Sequence, residues 1–457
     1  MTSEKFNQQL KKEAQQWQEE GFISNAFYEA LAQRYGFDAV VNSGSHRFIA
    51  TIISLGCILL GLGLITFVAA NWQVWSKPIK VLLLLGCFSL TNIGGFLLWQ
   101  QATSRSRQRL GEGLLLLGAL SLGANLGLMS QMFHQTGAAY QLYLIWGVAV
   151  SLMAYGLGLA SLGVMATILI AIAYFSSFSL WSLNFNFALL GLSPVAIACL
   201  LIPLTYRCRS AWVFFLSVSL ATSAWYTSFF FYVGGLIPSL KIVLIAMALL
   251  LPVAILWAYQ DRQSLFGIPT NISVESLSRK LAIAVLGGFL YLASFHWWEE
   301  LTVADFGSNV EGSFSWSIVS FSCLVLLAGY WWYCLGKNSQ TESWRLGRYD
   351  SWIAVAIASS FVAVVFNLWG NEAYVATFII NLLLFGLAIV LIKEALTLDS
   401  RLCYWSGILL LSLQIISRMF EYNTDLMTKA IALFICGIGI IASGIWFEKQ
   451  LAPSNNS

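Results

Sequence analysis

The sequence predicts an all-α fold: a polytopic transmembrane helix bundle of about 14 spans, with a small N-terminal cytoplasmic helical hairpin. Three observations carry this expectation. The chain of 457 residues is 58% hydrophobic and only 10% charged, against about 25% charged in an ordinary soluble domain. Its mean hydropathy is +0.75. Apolar stretches recur along almost its whole length, each near the ~20 residues that cross a hydrocarbon core as a helix. They are continuous rather than alternating, so a transmembrane barrel is not expected.

The elements follow in order. Residues 1–46 read as a cytoplasmic hairpin of two short helices. Phe6, Leu10, Ala14 and Trp17 recur at three- and four-residue spacing, which gives one apolar stripe. Gly21 ends the first helix in a left-handed cap. Ser24 caps the second, which carries Phe27, Ala30, Leu31 and Tyr35. The two stripes are expected to close through Phe22 and Ile23. So small a hairpin has little core of its own, and its expected contacts are membrane lipid or a cytoplasmic protein partner. The membrane domain, 47–450, has expected spans at 48–70, 80–99, 112–132, 140–157, 159–176, 186–204, 211–231, 239–259, 280–297, 315–335, 352–369, 374–393, 403–419 and 428–446. The run 140–176 is too long for one crossing, so it is folded back near Gly156–Gly158. Residues 451–457 read as a disordered tail.

Charge orients the bundle. With the N-terminus inside, all of the 24 Lys and Arg fall on the inner side except Lys77, Lys80, Lys241, Arg418 and Lys429, as the positive-inside rule requires. Without the turn at 156–158, Arg207 and Arg209 would fall outside. The outer loop 298–314 is acidic, with Glu299, Glu300, Asp305 and Glu311. The expectation is a multi-pass protein of the plasma (inner) membrane with both termini cytoplasmic. No cleavable signal peptide is read at the polar N-terminus, and the first span itself is expected to direct insertion.

Two regions resemble one another. FVAANW (67–72) and LMSQMFHQT (128–136) are echoed by FVAVVFNLW (361–369) and IISRMFEYN (415–423). This suggests a four-helix unit occurring twice in the same direction, over 48–158 and 351–447, as in parallel transporter repeats.

Chemistry-bearing motifs are sparse. The eight cysteines are scattered mostly in apolar runs without CxxC spacing. There is no GxxxxGK[ST], HExxH or GxSxG pattern. The three histidines make no metal site, and no cofactor is expected. The net charge of +3 is too small to imply nucleic acid. Ionisable residues are nearly absent from span centres, which speaks against an ion-driven carrier with a mid-membrane carboxylate. Asn92, Asn125, Asn367 and Asn381 lie at depth and read as helix-bridging groups. The glycine-rich spans 1 and 3 read as close helix packing. Polar residues gather instead at the outer ends of spans: Gln131, His134 and Gln135 after span 3, His296, Glu299 and Glu300 after span 9, Arg418, Glu421 and Asp425 around the end of span 13. These are the candidate lining of an outward-facing polar vestibule. A histidine there titrates near neutral pH, and Arg418 can grip a phosphate or carboxylate. The bland reading is ordinary headgroup-region residues.

The stretch LKKEAQQWQEEGFISNAFYEALAQRYG (10–36) resembles the start of a bacterial family of membrane proteins, catalogued as domain of unknown function 2157. The likeness continues through GLGLITFVAANW (61–72), RLGEGLLLLGAL (109–120), SQMFHQTG (130–137) and the closing segment 415–448. The resemblance implies an integral bacterial inner-membrane protein and no particular activity. Three functions are compatible with these readings. The first is a transporter or flippase for an amphiphilic or anionic solute. The second is a scaffold or regulator acting through the hairpin. The third is an enzyme on a lipid-linked substrate at the outer face, with His134, His296 or Glu421 as acid or base.

Overall fold

A computed structural model describes residues 10, 13–18, 20–35, 74–134, 137–177, 187–232, 238–261, 273–295, 314–337, 347–369, 373–397, 401–421 and 425–451. Among them there are helices and no strands. A short helical segment at 13–18 precedes α1 (Asn25–Tyr35). The long helices are α2 (Lys77–Gln100), α3 (Arg105–Met132), α4 (Ala139–Leu157), α5 (Ala160–Ser177), α6 (Phe187–Cys208) and α7 (Ala211–Tyr232). They continue as α8 (Pro238–Ala258), α9 (Glu275–Ala293), α10 (Phe314–Gly336), α11 (Arg348–Trp369), α12 (Ala373–Thr397), α13 (Arg401–Glu421) and α14 (Leu426–Leu451).

From Lys77 onward every expected span falls on one of these helices. Among the described residues ten are long and apolar enough to cross a membrane, so the count of fourteen is not reached by that measure. The expected span 48–70 lies outside the described residues. The spans at 186–204 and 428–446 correspond to the shorter apolar stretches Leu192–Cys208 and Lys429–Ile445. Helix α7 is not among the ten, and its second half mixes Ser, Thr, Trp and Tyr with phenylalanines. Ser219, Thr222, Ser223 and Thr227 each donate to a carbonyl one turn back, whereas Ser217 Oγ is buried without a hydrogen-bond partner among the described residues.

The chain divides into two units, Met1–Cys87 and Phe88–Ser457. In the first, Gly21 adopts φ +76°, and the Trp17 carbonyl accepts from the Phe22 and Ile23 amides at 2.8 and 3.3 Å. Ser24 Oγ accepts from the Phe27 amide at 3.4 Å. The caps are those the sequence predicts. The closing contact is not: Phe22 is 77% exposed and does not seal the two stripes.

In the second unit, α4 and α5 form a hairpin with only two residues between them. Gly158 takes φ +68° there, a conformation costly for any residue with a Cβ. Arg207, at the end of α6, donates from Nε to Tyr155 O at 2.7 Å and from Nη2 to Gly156 O at 3.4 Å. A cation thus covers the last carbonyls of α4, where the helix dipole favours positive charge.

Helix α8 is the centre of the unit. Its apolar window is 67% buried, against 6% for α2, and it packs against α7, α9, α10 and α11. Pro252 lies inside it. Proline has no N–H, so the Ala248 carbonyl one turn back loses its helical donor. Trp225 Nε1 supplies the replacement at 2.8 Å, and Tyr226 Oη donates to the next carbonyl, Leu249 O, at 3.0 Å. Trp332 Nε1 donates to Ala254 O at 2.9 Å and Ser278 Oγ to Leu256 O at 2.7 Å. Three neighbouring helices are therefore pinned to α8 by side-chain donors on its backbone. Below α8, Asp261 ties helix ends together. Its Oδ1 accepts from Tyr206 at 2.7 Å, and its Oδ2 accepts from the Val274 and Glu275 amides at the start of α9, at 3.0 and 3.2 Å.

These contacts predict a thermodynamic coupling. Trp225→Phe leaves Ala248 O without a donor and is expected to cost about 1–3 kcal/mol. In a Pro252→Ala background the restored amide takes over, and the same change is expected to cost well under half as much. Unfolding midpoints of the four proteins in one detergent check this; equal costs in both backgrounds would contradict it.

Candidate functional site

The residues expected to line a vestibule divide sharply. Arg418 and Glu421 lie one turn apart near the end of α13 and form an ion pair, their side chains 17% and 15% exposed. Arg418 Nη1 donates to Ser294 O at 2.5 Å and Nη2 to Ser294 Oγ at 3.3 Å. Its guanidinium also lies 4.5 Å from the centroid of the Phe295 ring, close enough for cation–π attraction. Asn381 of α12 donates to the same Ser294 carbonyl at 3.3 Å. Gln414, one turn before Arg418, donates to Asn381 O at 3.0 Å. Three helices (α9, α12 and α13) thus meet in one polar node. Arg418 Nε, Gln414 Oε1 and Thr377 Oγ1 are buried there without a hydrogen-bond partner among the described residues.

The other expected residues stand apart. Gln131 and His134 are exposed at the end of α3, which packs against α4 and α5. His134 takes φ 51°, a left-handed conformation that suits glycine better. Asp425 is exposed just before α14. Gln135, His296, Glu299 and Glu300 lie outside the described residues. Of the asparagines at depth, Asn381 does bridge helices, whereas Asn92 Nδ2 donates within its own helix, to Phe88 O at 2.8 Å. The close packing expected of span 3 is present: a Cβ on Gly111 would sit 2.5 Å from the Trp99 amide nitrogen.

A second polar feature was not picked out from the sequence. At the other end of α9 a cavity of about 470 Å³ opens between α9, α11, α12 and α13. Arg279, Lys280 and Glu275 line it from α9, and Glu394 from α12. Arg279 pairs with Glu275 at 2.9 Å and lies 5.6 Å from the Trp257 ring centroid. Trp257 Nε1 donates to Asp350 at 3.0 Å. Read as loop charges, Arg279 and Lys280 served only to orient the bundle. The signal that was available is the run ESLSRK at the start of α9, which places Glu275 and Arg279 one turn apart.

The two features share one face of α9. Ile283, which lines the cavity, is followed at helical spacing by Gly287, Leu290 and Ser294. A Cβ on Gly287 would stand 3.7 Å from both Leu387 of α12 and Leu410 of α13. Leu387 also lines the cavity. A charged pocket, an apolar plug and an arginine node therefore follow one another along the contact of α9 with α12 and α13. Their ends agree with alternating spans: starts of α9, α11 and α13 meet the end of α12 at the pocket, and ends of α9 and α13 meet the first turns of α12 at the node.

Residues 15–163 match the family described as "Predicted membrane protein (DUF2157)", the family that the N-terminal stretch resembles. No curated protein and no solved structure matches the chain. The matched segment runs from the hairpin into α5 and does not reach the node or the pocket. The protein is a multi-pass membrane protein by its apolar helices and by this match.

The node makes a stability prediction. Arg418→Ala removes the ion pair with Glu421 and both bonds to Ser294 in a half-dry site and is expected to cost about 3 kcal/mol. Gln131→Ala is expected to fall within about 0.5 kcal/mol. His134→Gly is expected to stabilise by up to about 1 kcal/mol, because it relieves the left-handed backbone. Thermal unfolding of the purified protein checks all three; similar costs for Arg418→Ala and Gln131→Ala would contradict the node.

Proposed function

We propose that the protein is a carrier or flippase for an amphiphilic or anionic solute, with the path running along the α9 contact with α12 and α13. The observation that carries this reading is the order along one face of α9: pocket, plug at Gly287, node. The node holds Arg418 and Glu421 mostly out of solvent, at a cost of several kcal/mol, and a partly exposed Arg279–Glu275 pair stands at the far end of the same interface. Alternating access needs such an arrangement, with binding groups on either side of a barrier thin enough to open. The plug is thin: Gly287 contributes no side chain, and even an added Cβ would stand 3.7 Å from Leu387 and Leu410. Apolar grooves flank the same region. One of about 340 Å³, lined by Tyr226, Phe229, Ala284 and Gly288 among others, suits an acyl chain.

In this reading the pocket opens to the cytoplasm and the node to the outside, as the excess of Lys and Arg on the pocket's side of the bundle favours. Both termini are then cytoplasmic and the membrane is the bacterial inner membrane. Gln131, His134 and Asp425, exposed at the ends of α3 and α14, belong in this reading to the solvated outer side. A second reading, a scaffold acting through the N-terminal hairpin, is favoured by the exposed Phe22 and Phe27, which offer an apolar contact for a cytoplasmic protein or for membrane lipid.

The carrier reading is tested in proteoliposomes with a nitrobenzoxadiazole-labelled short-chain phospholipid and an impermeant reductant that bleaches the outer leaflet. Protein-bearing vesicles are expected to lose the protected fraction at least about tenfold faster than empty ones. Gly287→Ala, whose methyl fits, is expected to retain this, and Gly287→Leu to abolish it by over-packing the plug. No acceleration by the unaltered protein, or full activity of Gly287→Leu, would contradict the proposed path.

A further inference from the structure

We infer that the groove between α7, α8 and α9 holds the acyl chain of an anionic phospholipid whose phosphate sits at Lys241. The groove lies on the face of α9 opposite the plug, so the site stands whether or not the carrier reading does.

Lys241 is the observation that points to a ligand. It stands in the first turn of α8 and is only 7% exposed. No carboxylate of the described residues pairs with it. A cation so withdrawn from water is costly until an opposite charge meets it. Its place on the helix sharpens that demand, because the N-terminal end of a helix carries partial positive charge of its own. An anion there answers both. A zwitterionic headgroup would bring a further cation to the same place.

The groove begins one turn further along the same face of α8. Lys241, Ile245 and Ala248 recur at helical spacing, and the last two line the groove. Ala284, Gly288 and Leu292 line it from α9. Of its described lining residues Tyr226 alone has a polar side chain, and that hydroxyl is committed to Leu249 O at 3.0 Å. A polar solute finds no partner along these walls, and an acyl chain needs none. From Ala284 to Leu292 the groove follows α9 for about 12 Å, close to the roughly 15 Å of hydrocarbon in one leaflet. Asp261, beyond the end of α8, caps the start of α9. The two helices are therefore antiparallel neighbours, and Leu292 and Lys241 lie towards the same end of the bundle. A Cβ on Gly288 would meet nothing within 4 Å, so the floor of the groove is open. Its volume of about 340 Å³ is that of a small-ligand site and suits one chain.

The test titrates the full-length protein in detergent with dioleoyl-phosphatidylglycerol, an anion, and separately with dioleoyl-phosphatidylcholine, a zwitterion. Native mass spectrometry resolves the first lipid bound. Phosphatidylglycerol is expected to bind about tenfold more tightly. Lys241→Gln is expected to bring that ratio below about twofold, and Lys241→Arg to keep it. Gly288→Leu places a side chain in the groove and is expected to weaken the first binding of both lipids at least about fivefold. Equal affinity for the two lipids, an unchanged ratio in Lys241→Gln, or undiminished binding by folded Gly288→Leu would overturn the assignment. If Gly288→Leu does not fold, the two Lys241 variants decide. Glycerol 3-phosphate, the anion without chains, is expected not to displace the lipid. Displacement would place the affinity in the headgroup alone and overturn the groove as the chain's seat. Because binding alone is read, absence of flux overturns the carrier and leaves this site standing.

Discussion

In hydrocarbon an unbonded carbonyl costs several kcal/mol, and Pro252 creates one at Ala248 in α8, the most buried of the ten apolar spans among the described residues. The way that debt of hydrogen bonding is met organises everything around it. Trp225 and Tyr226 of α7 donate to successive carbonyls of α8, Trp332 of α10 to a third and Ser278 of α9 to a fourth. Apolar packing in lipid gives little orientation, since lipid tails are as apolar as leucine. Directional donors on a proline-broken backbone do give orientation. Ser278 ties one face of α9 to α8 in this way, and Ile283 and Gly287 face α12 and α13.

That face carries the polar groups. At one end the Asp261 carboxylate caps α9 and steadies the turn that presents Glu275, Arg279 and Lys280. At the other, the carbonyl of Ser294, just past the last helical residue, is free of an intrahelical donor, as the final carbonyls of a helix are. Arg418 and Asn381 both use it. The node is thus a helix C-terminus that recruits a cation from a neighbouring helix, and Glu421 balances the charge. Between the two ends this face of α9 carries Ile283, Gly287 and Leu290, and Leu387 and Leu410 stand opposite Gly287.

Much of this was legible in the residues. Helix ranges followed from length and hydropathy. The turn at Gly158 followed from charge bookkeeping with Arg207, and the structure adds its physical reason: Arg207 caps α4. Ser24 and Gly21 announced their caps. What was not legible depends on partners far apart in the chain. Arg418 and Ser294 are 124 positions apart, so no local pattern says that Arg418 is half-buried while His134, in the similar MSQMFH segment, is exposed. The pocket was hidden for the same reason: Glu394 and Arg279 look like interfacial charges until α9 and α12 are set side by side.

The most direct test of the path is cysteine accessibility along the face of α9, in a background where the native cysteines are replaced. Cysteines at Ile283, Gly287 and Leu290 are treated in oriented membranes with a membrane-impermeant methanethiosulfonate applied from either side. Reaction is expected at Ile283→Cys from the side of the arginine-rich loops only, at Leu290→Cys from the opposite side only or not at all, with Gly287→Cys protected from both. Equal reactivity of all three from one side, or none at any position from either side, would contradict a plugged path between the pocket and the node.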